Sequence, residues 1–136
     1  MRLDLYQQET AAIARLQSEV LDEVRERLAA GEHLSCLEEN GLLHALQILI
    51  ENAIGKSKQL LKAAGEPVPV SAYDSFAALA CRHSAVRDNI EAWNAVIGIR
   101  SRIVHDYMNI DMRKIYVLIQ EDGYRFVVDF LLDASL

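Results

Sequence analysis

The stretch SCLEENGLLHALQILIENAIGKSKQLLKAAG, residues 35–65, has the pattern of one long buried helix. Ser35 is followed by Glu38 three positions later, a capping-box pattern that marks a helix N-terminus. The helical pattern then runs to Gly65. Positions 42–54 are apolar nearly all round the helix, which predicts that a bundle or a second subunit buries it on several sides.

Another helix is predicted upstream, over about residues 2–30. Apolar side chains recur there at a spacing of three or four and define the face that we expect to be buried: Tyr6, Ile13, Leu16, Val20, Val24 and Leu28. Charged residues occupy the rest of the helix surface, and Gly31 ends the pattern. The segment therefore predicts an amphipathic helix.

The chain after residue 65 predicts a loop and a short helix. Pro67 and Pro69 restrict the residues before them to extended conformations, so residues 65–72 are expected to form the loop. The short helix follows over about residues 73–81.

A longer helix is predicted from about Val86 to near Tyr107. Its apolar residues form a stripe that we expect in the core: Val86, Ile90, Trp93, Ile97 and Val104.

The final segment, residues 112–134, fits two structures. Apolar and polar residues alternate on either side of Asp122-Gly123, which is a strong hairpin signal. The same residues also fit helical spacing, and an isolated two-stranded hairpin is only marginally stable. We favour a helix, with a kink allowed at Gly123 and with Asp111 in the preceding turn as its N-cap. The fold class predicted is an all-α, up-and-down bundle of four long helices and one short helix.

Composition sets the broad class of the protein. A chain of 136 residues with 51% apolar and 25% charged residues fits one globular domain, residues 1–136. No apolar run reaches the length of a membrane span, and the N-terminus lacks the apolar core of a secretory signal, so we expect a cytoplasmic protein without membrane contact. Fourteen basic and twenty acidic residues give a net charge of −6. This charge argues against non-specific binding to nucleic acid but allows a local basic cleft.

Cysteine and histidine give no sign of a metal or disulfide site. Cys36 and Cys81 are far apart in sequence and stand among apolar residues, so we predict that they are buried as small hydrophobic residues. His33, His44 and His83 lack ligand partners at metal spacing and are predicted to lie at or near the surface. Neither a metal nor a cofactor is expected.

The stretch IRSRIVHDYMNID, residues 99–111, concentrates polar chemistry at the end of an apolar helix. Arg100 occupies the register of a core residue, where a guanidinium is costly unless an anionic ligand, a second subunit or a carboxylate satisfies it. From spacing alone, a carboxylate on a neighbouring helix is the favoured partner. Arg102 and Asp106, four apart, are predicted to form a surface ion pair.

Arg100 and His105 together suit the cleavage of RNA without a metal. Histidine can move a proton near neutral pH, and arginine can hold the negative charge of a phosphorane. Five residues on a helix are about 140° apart, so the two side chains do not project side by side from one chain. A two-fold dimer with these helix ends facing each other would bring two of each residue into one cleft.

The spacing Arg100-x4-His105-x-Tyr107 resembles the RX4HXY signature of the HepT-like branch of the HEPN superfamily, which comprises ribonuclease toxins encoded beside MntA-type nucleotidyltransferase antitoxins. The likeness extends to SAYDSFAALACRH and HDYMNIDMRKIYVLI and covers about residues 65–120. It implies an HEPN-like all-α fold and a homodimer with a composite active site. It also implies a metal-independent endoribonuclease that cuts tRNA or mRNA.

The same resemblance assigns roles to individual residues. Arg100 and His105 become the catalytic pair, and Tyr107 becomes the residue to which the antitoxin transfers AMP. The family often has an amide directly after the arginine, whereas this chain has Ser101. Ser101 and Arg102 are the candidates for positioning the phosphate.

A second reading is a non-catalytic, substrate-binding subunit of a two-component nucleotidyltransferase. The acidic charge balance and Ser101 favour this alternative. The complete set of Arg100, His105 and Tyr107 favours the ribonuclease, because a scaffold has no evident need for it.

Overall fold

The computed structural model describes residues 3–135, and these residues form helices without any strand. The all-α prediction is therefore confirmed. A 3₁₀ turn, Tyr107–Asn109, lies between the fifth and sixth of seven α-helices. The helices are α1 (Leu3–Ala29), α2 (Cys36–Ala63), α3 (Ala72–Ala80), α4 (Ser84–Arg87), α5 (Ile90–His105), α6 (Met112–Gln120) and α7 (Arg125–Leu132). The predicted start of the first helix at Arg2 lies outside the described residues.

Helix α2 is the centre of the bundle and packs against α1, α3, α5 and α7. Its capping box is present, since the Ser35 hydroxyl accepts from the Glu38 backbone N–H at 3.1 Å and the Glu38 carboxylate accepts from Ser35 N–H at 2.9 Å. Apolar residues on several sides of the helix are buried: Leu42, Leu43, Ala45, Leu46, Leu49, Ile50 and Ala53. The sequence left open whether the chain's own bundle or a second subunit buries α2. The structure shows that the other helices of this chain bury it.

Helix α1 turns a different face to the core than its apolar residues predicted. Leu16 is 58% exposed and Ile13 is 36% exposed, so their assignment to the core was wrong. The buried face is rich in small residues: Thr10, Ala11, Ala14, Ser18, Leu21 and Val24. Small side chains let the axis of α1 approach α2 closely, so packing favours this face over the more hydrophobic one.

The last segment is helical, as favoured, but it breaks into α6 and α7 instead of forming one long helix. Asp111 caps α6 by accepting from the Arg113 N–H at 3.0 Å. The break is a Schellman motif, in which Asp122 N–H donates to Ile119 O at 3.1 Å and Gly123 N–H donates to Leu118 O at 2.8 Å. Asp122 takes the left-handed φ of 57°, so the aspartate, and not the glycine, makes the turn.

An aromatic cluster joins α3, α5 and α7 in the core. Trp93 stacks on Phe76 with ring centroids 4.2 Å apart and meets Phe130 edge-on at 5.0 Å. The single helix predicted from about Val86 was wrong, because α4 ends at Arg87 and α5 begins at Ile90. Its predicted apolar stripe holds for Val86, Trp93 and Ile97, which are buried, while Ile90 is half-buried. It fails at Val104, which is 40% exposed because it lies in the last turn of α5, where the chain enters the exposed stretch 104–109.

The two cysteines contradict the prediction of burial, because both are exposed. Cys36 is the first residue of α2 and Cys81 directly follows α3, so both lie at helix ends where the backbone turns toward solvent. Apolar neighbours in sequence do not enclose a side chain at such a position. Across residues 3–135, each helix is too short or too polar to cross a bilayer.

Candidate active site

Arg100 projects from α5 toward α2. Its Nε atom donates to Glu51 Oε1 at 3.4 Å, and about a third of each of the two side chains is exposed. Gln47 donates to the same carboxylate oxygen at 3.1 Å and orients it. The carboxylate partner favoured by the sequence is therefore present. Within residues 3–135, the terminal guanidinium nitrogens of Arg100 have no partner, so they can still bind an anion.

A polar groove of about 380 Å³ surrounds Arg100, and we call it the Arg100 groove. It lies between α2, α5 and the loop before α3. Its polar lining comprises Glu51, Lys58 and Arg100. The Lys58 ammonium donates to Val70 O at 2.8 Å, which ties the loop to α2. The groove thus holds two cations and one carboxylate, a combination that suits a phosphate better than a neutral ligand.

His105 and Tyr107 lie at the exposed end of α5. His105 is the last residue of the helix and is exposed, and Tyr107 opens the 3₁₀ turn with 44% exposure. The Tyr107 hydroxyl donates to Asn40 Oδ1 on α2. This contact ties the half-exposed tyrosine to α2.

A second tyrosine contacts the same end of α2. The Tyr116 hydroxyl donates to Glu39, the neighbour of Asn40. Burial, together with the hydrogen bond to Glu39 and the negative charge of that residue, raises the pKa of Tyr116 to about 12. Sequence reasoning missed Asn40, Glu39 and Glu51, because each meets its partner across a long separation in the chain and no local pattern marks it.

The two candidates for phosphate positioning differ in exposure. Ser101 is half-buried, whereas Arg102 is exposed. Arg102 Nη1 lies 3.8 Å from Asp106 Oδ2, which is the surface ion pair that the spacing predicted. At this distance the pair is weak, since exposed ion pairs contribute about 0–1 kcal/mol.

One chain does not bring the predicted catalytic pair into a single groove. Arg100 lines the Arg100 groove, and His105 is not part of that lining. This agrees with the helical geometry, because residues five apart project about 140° from each other. His33 and His44 are exposed and His83 is half-buried, as predicted. No group of three His, Cys, Asp or Glu side chains in residues 3–135 is arranged to hold a metal ion.

The all-α bundle has an HEPN-like helical fold, and Arg100, His105 and Tyr107 lie in or just after its helix α5. The family model described as Ribonuclease HepT-like matches residues 11–130, and the chain belongs to this family. A chain in the crystal structure of a toxin-antitoxin with AMP-PNP has the same fold. The TM-score is 0.77, the identity is 16%, and the match covers 93% of this chain and 97% of that one. No curated protein matches the sequence.

Proposed function

We propose that this protein is a metal-independent endoribonuclease, the toxin of a toxin–antitoxin pair that acts in the cytoplasm. The observation that carries the proposal is the match to the HepT-like ribonuclease family over residues 11–130, a span that includes Arg100, His105 and Tyr107. The fold shared with a chain of a toxin-antitoxin structure supports it. The substrate class is RNA, either tRNA or mRNA.

The proposed reaction is transesterification by the ribose 2′-hydroxyl. His105 accepts the proton of the 2′-hydroxyl, whose oxygen forms a bond to the adjacent phosphorus. The bond from phosphorus to the 5′-oxygen breaks, and a second imidazole donates a proton to that oxygen. The products are a 2′,3′-cyclic phosphate and a 5′-hydroxyl. The terminal nitrogens of Arg100, which have no partner within residues 3–135, hold the charge of the phosphorane.

The active enzyme is proposed to be a homodimer. Arg100 faces α2 and His105 lies exposed at the end of α5, and in this proposal a second copy supplies the complementary residues. A two-fold axis beside the end of α5 would place two arginines and two histidines in one cleft. The second imidazole of the reaction then comes from the other protomer.

Tyr107 is the proposed site of inactivation by an MntA-like nucleotidyltransferase antitoxin. Its phenol oxygen attacks the α-phosphate of ATP, pyrophosphate leaves, and the phenolic proton passes to a base of the antitoxin. The side chain is 44% exposed, and within residues 3–135 its hydroxyl has one hydrogen-bond partner, Asn40. The added AMP brings bulk and negative charge to the site where an RNA phosphate would bind, so it excludes the substrate.

The test of the ribonuclease is incubation of purified protein with total tRNA and a messenger RNA in EDTA. Cleavage is expected to leave 2′,3′-cyclic phosphate ends and to be lost in His105→Ala, because the proton acceptor is gone. His33→Ala is the matched control, since this exposed histidine lies outside the site. Equal cleavage by wild type and His105→Ala, or none by unmodified wild-type protein, would contradict the proposal.

The alternative is a non-catalytic substrate-binding subunit of a two-component nucleotidyltransferase. The ion pair between Arg100 and Glu51 favours it, because an arginine with a carboxylate partner needs no substrate to neutralise it. This reading expects no RNA cleavage at all.

A further inference from the structure

A second groove lies on the other side of α5 from the Arg100 groove. It is formed by α5, the residues after the 3₁₀ turn and the start of α6, and has a volume of about 460 Å³. This volume falls within the range of small-molecule sites in proteins. Because Arg102 and Lys114 line it from two different elements, we call it the Arg102–Lys114 groove.

The charges available in this groove are positive. Within residues 3–135, the Lys114 ammonium has no hydrogen-bond or ion-pair partner, and Arg102 has only the 3.8 Å contact with Asp106. Asp111 also lines the groove, but its carboxylate is engaged by the Arg113 backbone N–H at 3.0 Å and by the Arg113 guanidinium at 3.5 Å. Lys114, without a partner among the described residues, and Arg102, with one weak ion pair, therefore line the same groove in a chain whose net charge is −6.

The remaining lining suits a flat ring with polar edges. Ile99 and Ile110 are half-buried and provide apolar surface, and Gly98 leaves space where a side chain would stand. Asn94 is exposed, and its amide supplies both a donor and an acceptor. A free phosphate would contact only the cations of this groove, and an apolar ligand would contact only the isoleucines. A nucleoside monophosphate contacts the cations with its phosphate and the isoleucines with its base.

The groove also opens beside the proposed catalytic histidine. Arg102 and His105 are three residues apart on α5 and therefore lie on the same side of the helix. We propose that the Arg102–Lys114 groove binds one nucleoside monophosphate unit, which in the substrate is the nucleotide next to the scissile phosphate of the RNA. Arg102 and Lys114 bind its phosphate, Asn94 contacts the base edge, and the isoleucines contact the base face. The role in RNA binding rests on the proposed ribonuclease function.

The test is direct binding of two probes, AMP and a tetranucleotide of 2′-O-methyl RNA, which cannot undergo attack by the 2′-oxygen. Calorimetric titration of the wild-type protein is expected to give saturable binding of both probes, with AMP competing against the tetranucleotide. Arg102→Gln and Lys114→Gln should each weaken binding about tenfold, the loss of one charge-assisted hydrogen bond. Lys62→Gln, an exposed lysine of α2 outside the groove, is the matched control and should bind like wild type.

A third variant fills the groove without changing its charge. A Cβ atom at Gly98 would lie 3.6 Å from the Tyr73 hydroxyl, an ordinary contact, so α5 accepts a larger residue there. Gly98→Leu should keep the circular dichroism and melting temperature of a folded protein and lose binding of both probes. If this variant fails to fold, the two charge variants still test the proposal.

The outcomes distinguish a nucleotide that is part of RNA from a free nucleotide. Binding of both probes with mutual competition identifies RNA as the occupant, whereas binding of AMP alone identifies a free nucleotide. No binding of either probe to wild type at about 5 mM, or equal binding by Lys114→Gln and wild type, overturns the proposal. Because binding is measured without cleavage, an inactive protein that binds AMP would refute the ribonuclease and leave the groove assignment intact.

Discussion

Among single residues, Lys56 is unusual because its charged side chain is buried. It lies in the C-terminal third of α2 and is only 1% exposed. Its ammonium donates to Phe130 O at 2.6 Å and to Asp133 O at 2.8 Å, and it stands 5.0 Å from the centre of the Phe130 ring. These carbonyls belong to the end of α7, where the helix has unpaired acceptors and the negative end of its dipole. Lys56 therefore fixes the C-terminal helix to the centre of the bundle.

Burial, offset only in part by the negative charge of Asp133, lowers the pKa of Lys56 to about 8. Between pH 8 and the unfolded pKa of about 10.5, the unfolded chain binds a proton that the folded chain has lost. Stability must then rise with pH, by at most about 1.4 kcal/mol per pH unit. We expect the wild type to gain unfolding free energy relative to Lys56→Met between about pH 7 and about pH 9.5.

Urea unfolding of both proteins at several pH values measures this difference. Lys56→Met is the reference because it has similar length and no titrating group. The range stays below pH 10, since Tyr116, with its pKa raised to about 12, lowers the stability of both proteins above that point. A wild type that loses stability relative to the variant as pH rises would show that the carbonyl hydrogen bonds outweigh burial.

At the scale of the helices, several C-termini share one hydrogen-bonding pattern. Three helix ends close with Schellman motifs, in which Gly31, Gly65 and Asp122 have positive φ. The helix ends at Gly31 and Gly65 could be predicted, because each glycine follows a stretch with the helical spacing of apolar residues. The helix end at Asp122 could not be predicted in this way. The pair Asp122-Gly123 is also a hairpin signal, and the residue with the left-handed φ is the aspartate.

Gly123 is required by close packing, and its replacement tests the turn between α6 and α7. A Cβ atom there would lie 2.5 Å from Leu118 Cδ1 and 3.1 Å from the Leu118 carbonyl oxygen. Gly123→Ala is therefore expected to lower the free energy of unfolding by about 1–3 kcal/mol, measured by urea denaturation.

The control for this variant is Gly41→Ala on α2. A Cβ atom at Gly41 meets nothing within 4 Å, so the alanine should raise stability by about 0.5–1 kcal/mol through its better helix propensity. If both substitutions stabilise the protein equally, the close approach of Leu118 to Gly123 is not a constraint on the fold.

For the whole molecule, the separation of Arg100 and His105 is the feature with the largest consequence. The dimer proposed from it predicts that specific ribonuclease activity falls on dilution, in parallel with the dimer fraction measured by sedimentation velocity. The reason is mass action, because a composite site exists only in the dimer. Constant specific activity at a concentration where the protein sediments as a monomer would exclude a composite site.

Which features could be predicted from the sequence depends on how far apart in the chain the interacting residues lie. Local patterns predicted the helical class, the capping box at Ser35, the cap at Asp111 and the ion pair of Arg102 with Asp106, because each of these depends on residues within four positions. The motif of Arg100, His105 and Tyr107 spans eight residues and can also be recognised in the sequence alone. The family match includes these residues, and their catalytic roles remain a prediction.

The sequence by itself determined that this chain is an all-helical protein with a polar motif at the end of an apolar helix. The tertiary structure decided which face of α1 is buried, that Cys36 and Cys81 are exposed, and that Glu51 and Asn40 hold Arg100 and Tyr107. The physical reason is that helix formation depends on neighbours in the chain. Packing and ion pairing instead depend on close approach between segments that are distant in sequence, and hydrophobicity alone does not encode that approach.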